Sequence, residues 1–258
     1  TWFDRTNYFE TVPANQLELA LWLESDRMGF FESAIDEEKL ENQRGVVMNE
    51  RRQSYENRPY GLAFETVLAE AFPEAHPYRH PTIGYMEDIR AATLEDVRSF
   101  FRTYYGPENA TLVVAGDADP DGALEAVDRW FGEIPGGEPP PEREVPGLAA
   151  PGERRRTISD AVQVPRVYLM YHAPCFRDPE FEATDVLSSL LADGKSARLH
   201  RELVYERQVA GEVSAFTWPT EAAGMLWVVV TARPGVDVGR LEEEVRATVG
   251  RLRDDGPD

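Results

Sequence analysis

One cysteine in 258 residues, Cys175, excludes an internal disulfide and any thiolate metal cluster. It follows Pro174 in an apolar, strand-like run and reads as a small buried hydrophobe. Histidine is also scarce, with four residues, and zinc hydrolases ordinarily need at least two as ligands. HExxH, HxxEH, GxSxG, phosphate-loop and CxxC motifs are all absent, so the chain holds no complete catalytic motif. No stretch approaches the ~18 apolar residues of a membrane span, and no signal peptide is visible. Bases are outnumbered, 27 against 47 acids, and a formal charge of −20 argues against binding to phosphate backbones. That surface leaves open either a basic peptide partner or plain solvation. An initiator Met is missing too, and Thr1 opens within a structural pattern, so both ends are expected to be truncated.

What is present points to a globular protein. Hydrophobic residues make up 42 % and aromatics 10 %, enough for a core and too rich for disorder. Apolar spacing predicts helices over residues 13–28, 36–55, 61–72, 93–105, 121–131, 178–191, 196–206 and 236–253. Asp36 and Thr93 are natural caps for two of them. Strand-like runs occupy 6–9, 109–115, 156–162, 167–172, 211–216 and 225–231. Between Ile134 and Gly152 lie six prolines and four glycines with no period, which reads as a linker. Helices and strands mix without strict βαβ alternation, so the fold class is α+β.

His76 and His80 are spaced i, i+4, but Pro77 and Pro81 make a regular helix across them improbable. His172 and His200 sit alone in apolar and helical surroundings and read as structural. In the helix from Asp36, residues Leu40, Gln43, Val47 and Glu50 advance by three or four and share one side. That spacing sets Glu50 beside the buried stripe, where a carboxylate must be paired, protonated or metal-bound. The alternative is a fringe glutamate reaching water with help from Arg44 or Arg51.

Several runs together resemble the M16 metallopeptidases, the insulinase, pitrilysin and mitochondrial processing peptidase family. They are TNYFETVPANQLELALWLESDRM, IDEEKLENQRGVVMNERRQ, HPYRHPTIGYMEDIRAATLEDVRSFFRTYYGPENATLVVAGD with a helix ending WFGEIP, and GKSARLHRELVYERQVAGEVSAF. The resemblance implies two-layer α/β sandwich domains with largely antiparallel sheets. On it, residues 1–135 are the later part of a first domain, 136–153 a linker, and 154–258 the earlier part of a second. The family's E-x6-E pattern falls on Gln43 and Glu50, which makes Glu50 the third zinc ligand. Gln43 then stands where relatives often carry an acid, and an amide there can still orient a ligand by hydrogen bonding. The HxxEH motif, with two histidine ligands and the general base that acts on a zinc-bound water, is expected upstream of Thr1.

The chain is therefore expected to be a piece of a zinc metalloendopeptidase, inactive and metal-poor by itself, with Zn2+ held by the whole protein. Its substrates would be peptides or unfolded segments, bound by strand addition. The Arg-x6-Tyr pair of many relatives falls on Val204 and Gly211, which implies a second M16-like subunit as partner in a heterodimer or homodimer. Arg201, Tyr205 and Arg207 lie nearby but out of register and read as surface residues. A non-catalytic scaffold or substrate-recognition subunit is the competing reading. The location is expected to be cytoplasmic.

Overall fold

Met225 to Val230 is an uninterrupted apolar run, and a strand of that composition needs cover on both faces. In the computed structural model, which describes residues 1–148 and 152–256, it has that cover. The helices are α1 (Leu17–Ala34), α2 (Glu37–Arg51), α3 (Ala63–Ala71), α4 (Met86–Ala91), α5 (Leu94–Tyr104), α6 (Pro120–Phe131), α7 (Phe181–Ala192) and α8 (Val238–Asp255). The strands are β1 (Arg166–Ala173), β2 (Ala210–Trp218) and β3 (Gly224–Ala232). Contacts divide the chain into two units: Thr1–Arg5, Arg52–Thr82 and Val145–Asp258 form unit 1, and Thr6–Arg51 with Ile83–Glu144 form unit 2.

Unit 1 is built on a three-stranded antiparallel sheet in the order β1-β3-β2. Val167, Val230 and Val213 stand in register across it, as do Met170, Trp227 and Phe216. Alternation sends Val228, Val230 and Ala232 to one face, where they pack with Leu191, Leu199, Leu203, Leu241 and Val245. The opposite face carries Met225 and Trp227, packed with Leu68, Phe72 and Tyr78. Gly224 opens β3 because a Cβ there would lie 1.8 Å from the Pro174 carbonyl oxygen. The Tyr78 hydroxyl donates to Asp4 Oδ1 at 2.5 Å and accepts from Ala222 N at 2.8 Å, while Glu221 N donates to Asp4 Oδ2 at 3.1 Å. Residues from both ends of the sequence are thereby tied together.

A second buried polar knot sits in the π-helical segment His200–Glu206. Glu202, 8 % exposed, accepts from Thr248 Oγ1 at 3.0 Å and pairs with Arg251, both on α8. Pairing is what makes a buried carboxylate tolerable.

Unit 2 is helical among the described residues. α1 packs on α5 and α6, and α2 packs on α4. Thr93 closes a capping box with Asp96: its hydroxyl accepts from Asp96 N, and the Asp96 carboxylate accepts from Thr93 N at 2.8 Å. The Thr93 hydroxyl, donating to Asp96 Oδ2 at 2.7 Å, and then the Thr93 amide hold the Asp96 carboxyl below the usual carboxylate range. Thr93→Ala should cost about 1 kcal/mol, read as a lower urea midpoint at unchanged slope. Asp36 also caps as expected, accepting from Lys39 N at 2.8 Å.

Several expectations do not survive. Residues 6–9, 109–115 and 156–162 form no strand, because among the described residues no neighbouring strand supplies their hydrogen-bonding partners. Phe9 and Val113 stand largely exposed as a result, and α1 exposes Trp22, Phe30 and Phe31. The segment around 154–160 is instead strapped down within unit 1 by Arg156–Glu70 and Arg155–Glu242 pairs and by Tyr60 N donating to Asp160. Cys175 is half-buried in a turn rather than buried in a strand, with its N–H bonded to Asp178. Residues 52–82 pack with the later half of the chain, and of the expected linker at 136–153, residues 149–151 lie outside the described residues.

Candidate functional site

Helix α2 carries both predicted site residues, and its rotation is set by two arginines. Arg44 donates to the Ala92 carbonyl at 2.6 Å, and Arg51 donates to the Gly84 carbonyl at 2.9 Å. Gly84 takes φ +78°, a left-handed conformation that favours glycine. Arg51 is only 5 % exposed, and its guanidinium lies 5.7 Å from the centroid of the Tyr85 ring. Seven residues separate the two arginines, two turns of helix, so both reach the same side.

The inward stripe of α2 is therefore Leu40, Arg44, Val47, Met48 and Arg51, one residue displaced from the stripe expected from the sequence. Gln43, Val46 and Glu50 share the adjoining face, and all three are exposed. Glu50 does not sit beside buried side chains, and the desolvation argument for it does not hold in this structure. Its carboxylate enters no ion pair among the described residues, and the neighbouring Arg51 is turned inward. Directly after Arg51 the backbone widens into a π-helical turn, Arg52–Glu56, which ends the regular helix.

His76 and His80 do not converge. His76 is buried at the start of the short Pro77–Arg79 turn while His80 is exposed, so the i, i+4 spacing produces no shared face. His200 packs its ring 5.0 Å from Tyr205. Among the described residues no three His, Cys, Asp or Glu side chains are placed to hold a metal ion. Glu50 is one candidate ligand, and the residues present do not make a zinc site.

The positions expected to bear the Arg and Tyr pair are equally bare of donors. Val204 is half-buried in the π-helical segment, and Gly211 lies exposed at a register shift in the edge strand β2, between Ala210 and Glu212. Arg207 is paired with Glu244 and Arg201 lies 3.8 Å from Glu206, both at the surface.

Comparison with known proteins now decides the family. The model of the peptidase M16 inactive domain matches residues 91–258, well over half of the chain. The chain belongs to the M16 peptidase family. A zinc protease of Helicobacter pylori, PqqE, is 30 % identical over 98 % of this chain and 57 % of its own length. An uncharacterised zinc protease of Mycobacterium leprae is 30 % identical over 95 % of this chain and 55 % of its own length. The crystal structure of a Helicobacter pylori protease superposes with a TM-score of 0.84 at 28 % identity, covering 95 % of this chain and 59 % of that one. This M16 chain thus spans a little over half the length of the relatives it matches. The mixed fold of helices and antiparallel sheet is the M16 fold, as expected. Glu50 and Gln43 fall before the stretch matched by the inactive-domain model.

Arg51 and its Gly84 acceptor were not singled out in the sequence. The available signal was the spacing Leu40, Arg44, Val47, Arg51, which is as regular as the one that was chosen.

Proposed function

We propose that this chain is part of an M16-type zinc endopeptidase, with Glu50 as the third zinc ligand and Gln43 steadying it through a hydrogen-bonded neighbour. The observation that supports this most is the fixed rotation of α2. Two arginine-to-carbonyl bonds hold the helix inward, and Glu50 is left outward with its carboxylate uncommitted among the described residues. A metal ligand needs a rigid support and a free lone pair, and Glu50 has both. Relatives named zinc proteases lend support. The two histidine ligands and the general base would come from polypeptide beyond residues 1–258, and no catalytic step is assigned to this chain alone.

Substrates would be peptides or unfolded segments. Val204 and Gly211 offer no side-chain donor to a substrate carbonyl, which supports a second M16-like subunit as the donor of that contact. The test is zinc stoichiometry and peptide hydrolysis of the longer protein, with and without a chelator and the second subunit. Glu50→Gln should lower zinc affinity by more than the about 10–100-fold that loss of an outer hydrogen-bonding partner costs. Unchanged zinc content in that variant would defeat the assignment.

A non-catalytic scaffold or recognition subunit is the second reading. It is favoured by the inactive-domain match over 91–258 and by the lack of a three-ligand cluster among the described residues. Under it, the longer protein purifies without stoichiometric metal.

A further inference from the structure

The turn between β2 and β3 is held from inside. Thr220 is fully buried there, its hydroxyl donating to the Ala223 carbonyl at 2.5 Å while its own carbonyl accepts from Phe176 N at 3.1 Å. The next two amides are thereby fixed as donors: Glu221 N reaches Asp4 Oδ2 at 3.1 Å, and Ala222 N reaches the Tyr78 hydroxyl at 2.8 Å. That hydroxyl donates in turn to Asp4 Oδ1, so both oxygens of one carboxylate are received. Converging donors of this kind make a carboxylate seat.

An aromatic floor adjoins the seat. Trp2 meets Trp218 edge-on with ring centroids 4.8 Å apart, and Phe3 lies 5.2 Å from Tyr78 and 5.9 Å from Trp218. Phe64, 4.6 Å from Trp218, extends the floor. Trp2-Phe3-Asp4 is thus held as a short peptide is held: two neighbouring rings on rings, then an acid on two donors.

The hold is light. Trp2 and Asp4 are exposed and Phe3 is half-buried, whereas Tyr78 beneath them is 2 % exposed. A segment with so little buried surface opens locally while the rest stays folded. Beside the seat, a cavity of about 350 Å3 shares Glu221 and Ala222 and carries Arg177, and none of residues 1–5 lines it. A longer ligand has room there that the segment leaves unused.

We propose that this surface of unit 1 is a docking site for a peptide segment carrying two adjacent aromatics followed by an acid. Trp2-Phe3-Asp4 is the strap that occupies the site until such a segment takes its place. The strap competes as a tethered ligand, at an effective concentration in the millimolar range. Weak ligands are therefore shut out, and a ligand that also reaches the cavity by Arg177 displaces it. Glu50 belongs to unit 2, and binding here needs neither metal nor hydrolysis, so the site stands or falls apart from the zinc reading.

The experiment uses the 258-residue chain and a dye-labelled peptide, Thr-Trp-Phe-Asp-Arg-Thr with blocked ends, followed by fluorescence anisotropy. The proteins are wild type and a triple variant, Trp2→Ala with Phe3→Ala and Asp4→Ala. The opened variant should bind the peptide at least about tenfold more tightly than wild type, the margin a millimolar tether imposes. Asn in place of the peptide's Asp should weaken binding about tenfold, and a shuffled order of the same residues should abolish it. Amide hydrogen exchange of the wild type decides if the triple variant does not fold. Strap release frees the Glu221 amide without unfolding, so it should exchange at least about tenfold faster than Val228 and Val230 in β3. The proposal is overturned by no binding to the opened variant up to about 1 mM, or by equal binding to wild type and variant. Equal binding of the shuffled peptide, or Glu221 exchange as slow as that of Val228, overturns it as well.

Discussion

Trp227→Ala is expected to destabilise unit 1 by about 3–5 kcal/mol, the cost of removing a large buried aromatic and leaving its cavity. Trp227 is 2 % exposed at the centre of the middle strand, in register with Met170 on one side and Phe216 on the other. Its ring lies 5.2 Å from Trp218, 5.6 Å from Phe64 and 6.2 Å from Phe216, so deletion strips contacts from two strands and from α3. The wall is made of rigid rings that cannot collapse into the space, which places the loss toward the upper end. Trp227→Phe should cost much less. The buried Trp227 Nε1–H has no acceptor among the described residues, and the smaller ring removes that orphan along with some volume. Urea midpoints by circular dichroism would show the ordering wild type, Phe, Ala. Equal losses for Phe and Ala would show that the loss does not scale with the void left behind.

Arg51→Ala should cost about 1.5–3 kcal/mol, the range for hydrogen bonds to charged groups. The substitution removes the bond to Gly84 and leaves that part-buried carbonyl short of a partner. Arg51→Lys should recover only part of the loss, because a point ammonium cannot reproduce a planar, forked donor lying by Tyr85. The second consequence rests on the zinc reading of Glu50. With one of its two anchors gone, α2 is held less firmly, and in the longer protein zinc should bind less tightly although Arg51 touches no metal. A change in stability without any change in zinc affinity would show that Arg51 serves the fold alone.

Much of the local structure was legible because it depends on neighbours in sequence. Asp36 and Thr93 announced their helices through chemistry confined to a single turn. The β-branched run before Ala232 announced the central strand. The inward face of α2 was misjudged for a physical reason: arginine was assigned to water, yet its guanidinium can be buried once carbonyls such as those of Ala92 and Gly84 receive it. No property of Arg51 by itself reveals that acceptor, which lies 33 residues away. Residues 109–115 have strand composition, but composition cannot supply the partner a ladder needs. Gln43 and Glu50 were reached through resemblance, since their own spacing left a solvated glutamate equally open.

The tie from Asp4 to the Glu221 amide, 217 positions apart, has a consequence for biosynthesis. As the polypeptide leaves the ribosome, residues 1–5 and 52–82 emerge long before β1, β2 and β3 exist to receive them. Unit 2, whose last residue is Glu144, can close while its sister unit still waits. Phe3, Phe64 and Phe72 must therefore remain uncovered until β3, Gly224–Ala232, has been translated, an interval in which a holdase would find its natural client.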